Sequence, residues 1–215
     1  MNFYTKIDQN VNFLLDHIIQ TGEVPERYNI EHYPDMPWEQ KQNSFDNLLV
    51  RNKYTKRISW CLVNKLWTKD LATYIGTGKV VELYAGKGLI AKQLKEFGVD
   101  ITSYDDFSWN MTNETFTKVL MKDSRDALKG YLNNTIDYVL MSWIPYEDET
   151  CIEVLKILKE TQPKCKIIYI GEGYGGCNAC DKFFDMLDLI YSSELNNNFQ
   201  HFSGIYDEIY LGEIL

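Results

Sequence analysis

The chain has 215 residues, of which 45% are hydrophobic and 14% aromatic, and its formal net charge is -9. This composition supplies a real hydrophobic core and excludes a disordered or fibrous protein. Five cysteines are too few for a disulfide scaffold in a chain of this length. The excess of acidic residues argues against broad electrostatic adhesion to nucleic acid or anionic lipid, although a local basic patch is compatible with it.

The sequence predicts neither a membrane anchor nor a secretion signal. No apolar run reaches the roughly 18 residues that a membrane-spanning helix requires. The N-terminal segment MNFYTKIDQN lacks the apolar stretch of a signal peptide. We therefore expect a cytoplasmic protein with reduced thiols and no membrane partner. The sequence does not indicate its oligomeric state.

Residues 1–78 are predicted to form a helical N-terminal extension. Apolar residues recur at steps of three and four near the N-terminus. Two further amphipathic stretches follow at 44–54 and 58–74, after a proline-rich connector that breaks regular structure. The second of these predicted helices carries Trp60 and Trp67 seven residues apart. Both are expected on one face, where they pack the extension onto the rest of the protein.

Residues 79–215 are predicted to form an α/β core. Strand-like and helix-like segments alternate from Lys79 to Tyr191, which indicates βαβ units and a mostly parallel sheet with helices on its faces. The segment ACDKFFDMLDLIY, residues 179–191, is predicted as a helix. Two short strands are predicted in the tail from about residue 199 onwards.

A glycine turn follows the first predicted strand of this core. The segment Val80-Val-Glu-Leu-Tyr-Ala-Gly-Lys-Gly88 runs from a strand through Gly86 and Gly88 directly into a helix. Glycines let the backbone turn tightly and approach a ligand, and the helix presents free N–H groups at the same place. A nucleoside-type cofactor at the carboxyl ends of the strands is the natural ligand of such a turn.

Two acidic residues discriminate between cofactors. Glu82 lies four residues before Gly86, where a carboxylate disfavours an anionic pyrophosphate but suits the sulfonium and ammonium groups of S-adenosylmethionine. Asp105 ends the second strand and is placed to accept hydrogen bonds from the ribose of either cofactor class. The run from Gly86 to Ala91 also fits Gly-x-Gly-x-x-Ala, so a nicotinamide cofactor remains an alternative, as does a turn without a ligand.

The segment VVELYAGKGLIAKQLKEFGVDITSYDD resembles the first motif of class I S-adenosylmethionine-dependent methyltransferases. The resemblance covers roughly residues 79–190, and the SW-x-PY and IGEG-x-GGC stretches are similar to a poorly characterised subgroup. It implies a Rossmann-like, seven-stranded, mostly parallel sheet with helices on both faces, and S-adenosylmethionine as cofactor. The resemblance also implies that Asp123 contacts the amino group of the cofactor's adenine. The implied cofactor-binding residues are Glu82, Ala85, Gly86, Gly88, Asp105, Asp106, Asp123, Ser124 and Ser142.

The loops after the fourth and fifth predicted strands are expected to face the methyl acceptor. Ser142-Trp-Ile-Pro-Tyr146 is similar to the loop around the target amine in amino-methylating relatives, but Ile144 replaces one of their two prolines. A strand that ends in a packed aromatic loop, without an acceptor pocket, is the alternative for this stretch. Glu172 follows the fifth strand, where it is a candidate base or cation-binding group and, alternatively, a backbone-binding carboxylate. The predicted acceptor-facing residues are Trp143, Tyr146 and Glu172.

These features predict methyl transfer from S-adenosylmethionine to an unknown acceptor, with a small molecule or a protein favoured over RNA. A methyltransferase-like module that binds or inhibits without turnover is the first alternative. It is suggested by the altered Ser142–Tyr146 loop and by Tyr84, which occupies a position often held by glycine in the family that the chain resembles. An NAD(P)-dependent oxidoreductase is the second. The basic stretch 51–57 is predicted as a solvated face, with an RNA or phosphate contact as the sharper alternative.

Cys177 and Cys180 form a Cys-x-x-Cys motif. One such pair does not make a zinc site, because a tetrahedral site needs four ligands, and the other cysteines and the histidines show no matching spacing. No metal is therefore predicted. The two residues are interpreted as ordinary thiols, with a redox pair as the alternative, since Cys180 opens a predicted helix.

Overall fold

The computed structural model describes residues 9–29, 48–109, 114–132 and 135–215. Most of the predicted proline-rich connector and the beginning of the predicted helix 44–54 lie outside these residues. The helices, in chain order, are α1 (Gln9–Thr21), α2 (Leu48–Arg57), α3 (Lys65–Ile75), α4 (Leu89–Glu96), α5 (Ser124–Lys129), α6 (Thr150–Thr161), α7 (Asp181–Asp185) and α8 (Ser193–Asn196). The strands are β1 (Lys79–Leu83), β2 (Asp100–Asp105), β3 (Val119–Met121), β4 (Tyr138–Ser142), β5 (Lys166–Glu172), β6 (Leu187–Tyr191) and β7 (Asp207–Ile214).

The strands form one seven-stranded sheet in the order β3-β2-β1-β4-β5-β7-β6. The first five of these pair in parallel, whereas β7 runs antiparallel to both of its neighbours. The chain winds outwards from β1 in one direction and from β4 in the other, so the strand order reverses between β1 and β4. In open α/β sheets ligands bind at such a reversal, outside the carboxyl ends of the strands. The predicted Rossmann-like, mostly parallel sheet is confirmed.

Buried side chains divide into two cores, one on each face of the sheet. Successive strand residues point to opposite faces, so Val80 packs with the helices α1 to α4 while Val81 packs with α5, α6 and α7. Central strands covered on both faces carry near-continuous apolar runs, as β5 does with its buried Ile167 to Ile170. The predicted placement of helices on both faces is confirmed.

The helix that contains Trp67 begins later than its hydrophobic pattern suggested. It starts at Lys65, because the side chain of Asn64 caps it by accepting the Trp67 N–H at 3.0 Å. The prediction that Trp60 and Trp67 share one helix face is therefore wrong. Trp67 is fully buried and donates its indole N–H to the Leu62 carbonyl, whereas Trp60 lies in the preceding loop and is half-exposed.

The predicted helix over residues 179–191 is wrong in its second half. Helix α7 ends at Asp185, and the chain continues as the edge strand β6. The apolar spacing of this segment fits a helix equally well, and burial of these side chains does not favour the strand, because Ile190 and Tyr191 are exposed in it. Backbone hydrogen bonds to β7 decide the conformation. The tail accordingly supplies one strand, and its antiparallel partner β6 comes from upstream.

The described part of the chain contains neither a helix that could span a membrane nor a cluster of metal-ligating side chains. None of the described helices is both long and apolar enough to cross a membrane. No group of His, Cys, Asp and Glu in the same residues is arranged to hold a metal ion.

Candidate cofactor and acceptor site

The glycine turn joins β1 to α4 at the carboxyl edge of the sheet. Gly86 and Gly88 both adopt positive φ, at 52° and 71°. A Cβ at Gly88 would lie 2.6 Å from the Val119 Cγ2 atom, whereas a Cβ at Gly86 would meet nothing within 4 Å. Gly88 is therefore needed for the close approach of β3, and Gly86 leaves open space at the turn. The Ala85 N–H donates to the Tyr104 carbonyl at 3.1 Å and ties the turn to β2.

Asp105, at the end of β2, closes on this turn. Its Oδ2 atom accepts the Gly86 N–H and its Oδ1 atom accepts the Phe107 N–H, both at 2.7 Å. Burial raises the pKa of Asp105, and these two backbone donors oppose that effect. A carboxylate has about four lone-pair sites, so both oxygens keep capacity for further donors such as ribose hydroxyls. The neighbouring Asp106 is exposed and accepts the Ser108 N–H at 2.9 Å.

Glu82 is a buried carboxylate beside the turn. It lies in β1, in register with Ser103 of β2, and is 1% exposed. Within the described residues, neither of its carboxylate oxygens has a hydrogen-bond partner, and the Ser103 hydroxyl has none either. Burial raises the pKa of Glu82 to about 7, while the Ser103 hydroxyl and the positive charge of Lys95 act in the opposite direction. Because an uncompensated buried carboxylate is costly, this arrangement is typical of a binding site rather than of a core.

Asp123, the predicted adenine-binding residue, already forms hydrogen bonds with a neighbouring residue of the protein. Asp123 caps α5 by accepting the Arg125 N–H at 2.9 Å, and the Arg125 guanidinium bonds both of its carboxylate oxygens at 2.9 Å. Arg125 therefore lowers the pKa of Asp123. Arg125 also bonds Glu153 of α6 at 2.7 Å, beside a surface concavity of about 420 Å³. Ser124 is buried in the first turn of α5.

Trp143 follows β4 and is held in one orientation. Its φ is 49°, and its backbone N–H donates to the Ile170 carbonyl at 2.8 Å. Its indole Nε1 donates to the Asp207 Oδ2 atom at 3.1 Å. Asp207 is 1% exposed, its other oxygen has no hydrogen-bond partner in the described part of the chain, and burial raises its pKa to about 7. Sequence patterns gave no signal for Asp207, because it reaches Trp143 from β7, on the far side of β5.

Three indoles meet at this edge, and we refer to Trp60, Trp109 and Trp143 as the tryptophan cluster. Trp60 stacks on Trp143 with ring centroids 5.6 Å apart and an interplanar angle of 24°. Trp109, from the loop after β2, meets Trp60 edge-on at 6.4 Å. Trp60 is 46% exposed and Trp109 is 70% exposed. The cluster thus offers aromatic surface to solvent across the carboxyl ends of the central strands.

The other predicted acceptor residues are arranged differently. Glu172 is buried, and its Oε2 and Oε1 atoms accept the Cys177 N–H at 2.8 Å and the Tyr206 N–H at 3.1 Å. It therefore holds the loops around it, as the backbone-binding alternative describes. Tyr146 points to solvent, and Ser142 lies at the end of β4 near the buried Cys61 thiol. The structure thus brings Glu172 and Trp143 to one edge of the sheet and leaves Tyr146 at the surface.

Aromatic residues in a left-handed conformation follow three adjacent central strands. Tyr84, Phe107 and Trp143 have φ of 58°, 56° and 49° after β1, β2 and β4. Residues other than glycine in this region are strained by on the order of 1–3 kcal/mol, and such residues cluster at functional sites. The carboxyl edge of the sheet therefore carries both the strained backbone and the uncompensated buried carboxylates.

The chain has only distant similarity to known proteins. No protein-family model matches the chain, and no curated protein matches it. Among solved structures it is similar to TehB from Haemophilus influenzae, at 12% identity over 77% of this chain and 67% of that chain, with a TM-score of 0.44. It is also similar to human N-acetylserotonin methyltransferase in complex with SAM, at 12% identity over 95% of this chain and 66% of that one, with a TM-score of 0.46. A TehB-like SAM-dependent methyltransferase from Corynebacterium glutamicum matches at 12% identity over 71% and 90% of the two chains, with a TM-score of 0.44. The chain spans about two thirds of the length of the first two.

Proposed function

We propose that the protein is an S-adenosylmethionine-dependent methyltransferase that acts on a small molecule or a protein. The observation that carries this proposal is the buried Glu82 carboxylate, which has no hydrogen-bond partner in the described residues and lies beside the glycine turn where the strand order reverses. An anionic pyrophosphate would be repelled there, whereas a cationic group would be stabilised. S-adenosylmethionine, the proposed cofactor, supplies an electrophilic methyl group on a positively charged sulfur.

The chain's own residues fit the parts of this cofactor. Glu82 compensates positive charge, Asp105 keeps acceptor capacity for ribose hydroxyls, and Gly86 leaves open space beside the backbone of the turn. Asp123 contacts an adenine amino group only by sharing a carboxylate that already binds Arg125. Asp105 and Glu82 therefore contribute more to cofactor affinity than Asp123 does.

The tryptophan cluster supports an acceptor with an aromatic or cationic group. Asp207 fixes the Trp143 indole, and Trp60 stacks on it with its remaining surface exposed. An exposed indole face attracts cations and flat rings. Glu172 holds the adjoining loops through two backbone N–H groups. In this proposal the residues around the acceptor contribute mainly alignment and proximity for direct attack on the methyl group.

Calorimetry with S-adenosylhomocysteine tests the proposal. The wild-type protein should bind, because S-adenosylhomocysteine lacks the sulfonium charge but keeps the ribose and the positively charged ammonium group. Both Asp105→Ala and Glu82→Gln should weaken binding by about tenfold or more, which corresponds to about 1.4 kcal/mol. Asp188→Asn, an exposed residue of the edge strand β6, is the matched control and should bind like the wild type. Absence of binding by the wild type at high ligand concentration would exclude the cofactor.

A methyltransferase-like module without turnover is the second candidate. It is favoured because residues of the candidate acceptor side already contact other groups of the protein. Trp60 covers part of Trp143, and both carboxylate oxygens of Glu172 accept backbone N–H groups. Incubation with cofactor labelled on its methyl group, cell extract and small-molecule fractions separates the two candidates. Cofactor binding without label transfer supports the module, and transfer to a defined acceptor refutes it. Quenching of tryptophan fluorescence by NAD(H) but not by S-adenosylhomocysteine would instead indicate an oxidoreductase.

A further inference from the structure

Two cysteine thiols that are far apart in the sequence lie close together. The Sγ atoms of Cys151 and Cys180 are 3.9 Å apart, and all five cysteines are free thiols. Cys151 is buried in the first turn of α6, and Cys180 immediately precedes α7 and is half-buried. The Cys-x-x-Cys motif pairs Cys180 with Cys177 in the sequence, but in the structure Cys177 is exposed, and Cys151 is the cysteine that contacts Cys180.

The surroundings of Cys180 allow this gap to close. A disulfide has a sulfur–sulfur distance of about 2 Å, so the two Sγ atoms must approach by roughly 2 Å. Cys180 has an extended backbone, and its thiol makes no capping hydrogen bond to α7. It ends a loop that contains three glycines, at positions 173, 175 and 176, and such a loop adapts its backbone easily. When the bond forms, the Asp148 carbonyl, which accepts from the Cys151 thiol at 2.9 Å, loses a weak hydrogen bond.

We propose that Cys151 and Cys180 are an oxidisable pair whose disulfide fixes the loop 173–180 to the start of α6. This loop already contacts the loop after β4: the Ala179 N–H donates to the Ile144 carbonyl at 2.9 Å, and the Glu147 N–H donates to the Ala179 carbonyl at 3.1 Å. The covalent bond therefore restricts two loops at the carboxyl edge of the sheet, including the one that begins with Trp143. Oxidation thereby couples to the candidate acceptor side without altering a residue of the glycine turn.

Oxidised glutathione, a low-molecular-weight disulfide, is a sufficient oxidant. The Cys180 thiol loses its proton, and the resulting thiolate attacks one of the glutathione sulfurs to form a mixed disulfide. The first glutathione leaves as a thiolate that takes up this proton. Cys151 then loses its proton and attacks the Cys180 sulfur, and the second glutathione leaves as a thiolate that takes up a proton. Two protein thiols are oxidised and one glutathione disulfide is reduced to two thiols. Cys180 is the entry point, because Cys151 is buried and both its burial and the neighbouring Cys180 raise the pKa of the Cys151 thiol.

Peptide mapping of the full-length protein after exposure to oxidised glutathione tests the pairing. After free thiols are blocked by alkylation, the expected product joins the peptides containing Cys151 and Cys180, with a mass about 2 Da below their sum. Cys177→Ser should form the same bond, whereas Cys180→Ser should form none, and a thiol reductant should reverse it. A Cys177–Cys180 bond, a mixed disulfide that persists on Cys180, or no oxidation at all would overturn the proposal.

Hydrogen exchange tests the consequence for the loop. Backbone amides of residues 173–178 should exchange several-fold more slowly in the oxidised wild type than in the reduced wild type, because the bond suppresses local opening. Cys180→Ser treated in the same way should show no slowing. Equal exchange in both redox states would refute the restriction of the loop. Neither experiment uses S-adenosylmethionine, so their outcome does not depend on the proposed enzymatic function.

Discussion

Replacement of Glu82 by Gln should stabilise the protein at alkaline pH while it weakens cofactor binding. Glutamine has nearly the same shape as glutamate and carries no charge, so it removes the electrostatic cost of the buried carboxylate and little else. Burial raises the pKa of Glu82 to about 7 in the folded protein. The carboxyl group therefore keeps its proton in the folded state over a pH range in which the unfolded chain has already lost it.

The size of the effect follows from this difference in proton affinity. An ordinary glutamate has a pKa of about 4.3, and each tenfold change in proton affinity corresponds to about 1.4 kcal/mol, so the buried charge costs roughly 4 kcal/mol above pH 7. Because the folded pKa is the higher one, the free energy of unfolding falls as pH rises from about 4.3 to about 7 and is then level. Glu82→Gln lacks this fall. The variant should match the wild type near pH 4 and exceed its stability at pH 8.

Urea denaturation at pH 4.5 and pH 8 measures this difference. With a slope of about 2–3 kcal/mol per M, the midpoint of Glu82→Gln at pH 8 should lie about 1–2 M above that of the wild type. Glu160→Gln, at an exposed position of α6, removes a carboxylate without burial and should leave the midpoint nearly unchanged at both pH values. The reasoning fails if Glu82→Gln is equally or less stable than the wild type at pH 8. A stabilised variant with weakened S-adenosylhomocysteine binding would identify Glu82 as a residue kept for binding at the expense of stability.

Three further predictions concern the glycine turn, Asp207 and Asp123. Gly88→Ala should lower the free energy of unfolding by about 2 kcal/mol or more, because its Cβ would lie 2.6 Å from a methyl group of β3. Gly86→Ala faces open space and should lower it by only about 1 kcal/mol, through backbone strain. Equal losses of the two variants in urea denaturation would contradict this packing argument. Asp207→Asn should keep the hydrogen bond from Trp143 through its amide oxygen and gain stability at pH 8, because burial raises the pKa of Asp207 to about 7. Asp207→Leu leaves the indole N–H without its acceptor, and near-ultraviolet circular dichroism should report a changed tryptophan stack in Asp207→Leu but not in Asp207→Asn. Asp123→Ala should lower the free energy of unfolding by about 1 kcal/mol at pH 7, because it removes the cap of α5. This loss should shrink as pH falls through the lowered pKa of Asp123. A loss that is independent of pH down to pH 3 would show that the charge of Asp123 contributes nothing.

The sequence by itself determined the α/β core and the nucleus of the candidate site. Alternating strand and helix patterns are local properties of the chain, because the burial of each element depends on the spacing of its own apolar residues. The sequence also predicted three residues of the candidate site, Glu82, Gly86 and Asp105. They lie on β1, the turn after it and β2, and these two strands are close in the sequence and pair side by side. The parallel register then brings Asp105 within 2.7 Å of the Gly86 N–H with little help from the rest of the fold.

Only the tertiary structure decided the features that join distant segments. The strand β6 exists because the edge of the sheet supplies backbone partners, and its own pattern fits a helix equally well. The stack of Trp60 on Trp143, the bond from Trp143 to Asp207 and the approach of Cys151 to Cys180 each join segments that are 29 or more residues apart. Such contacts depend on which elements the sheet order places side by side, and no local periodicity records that order.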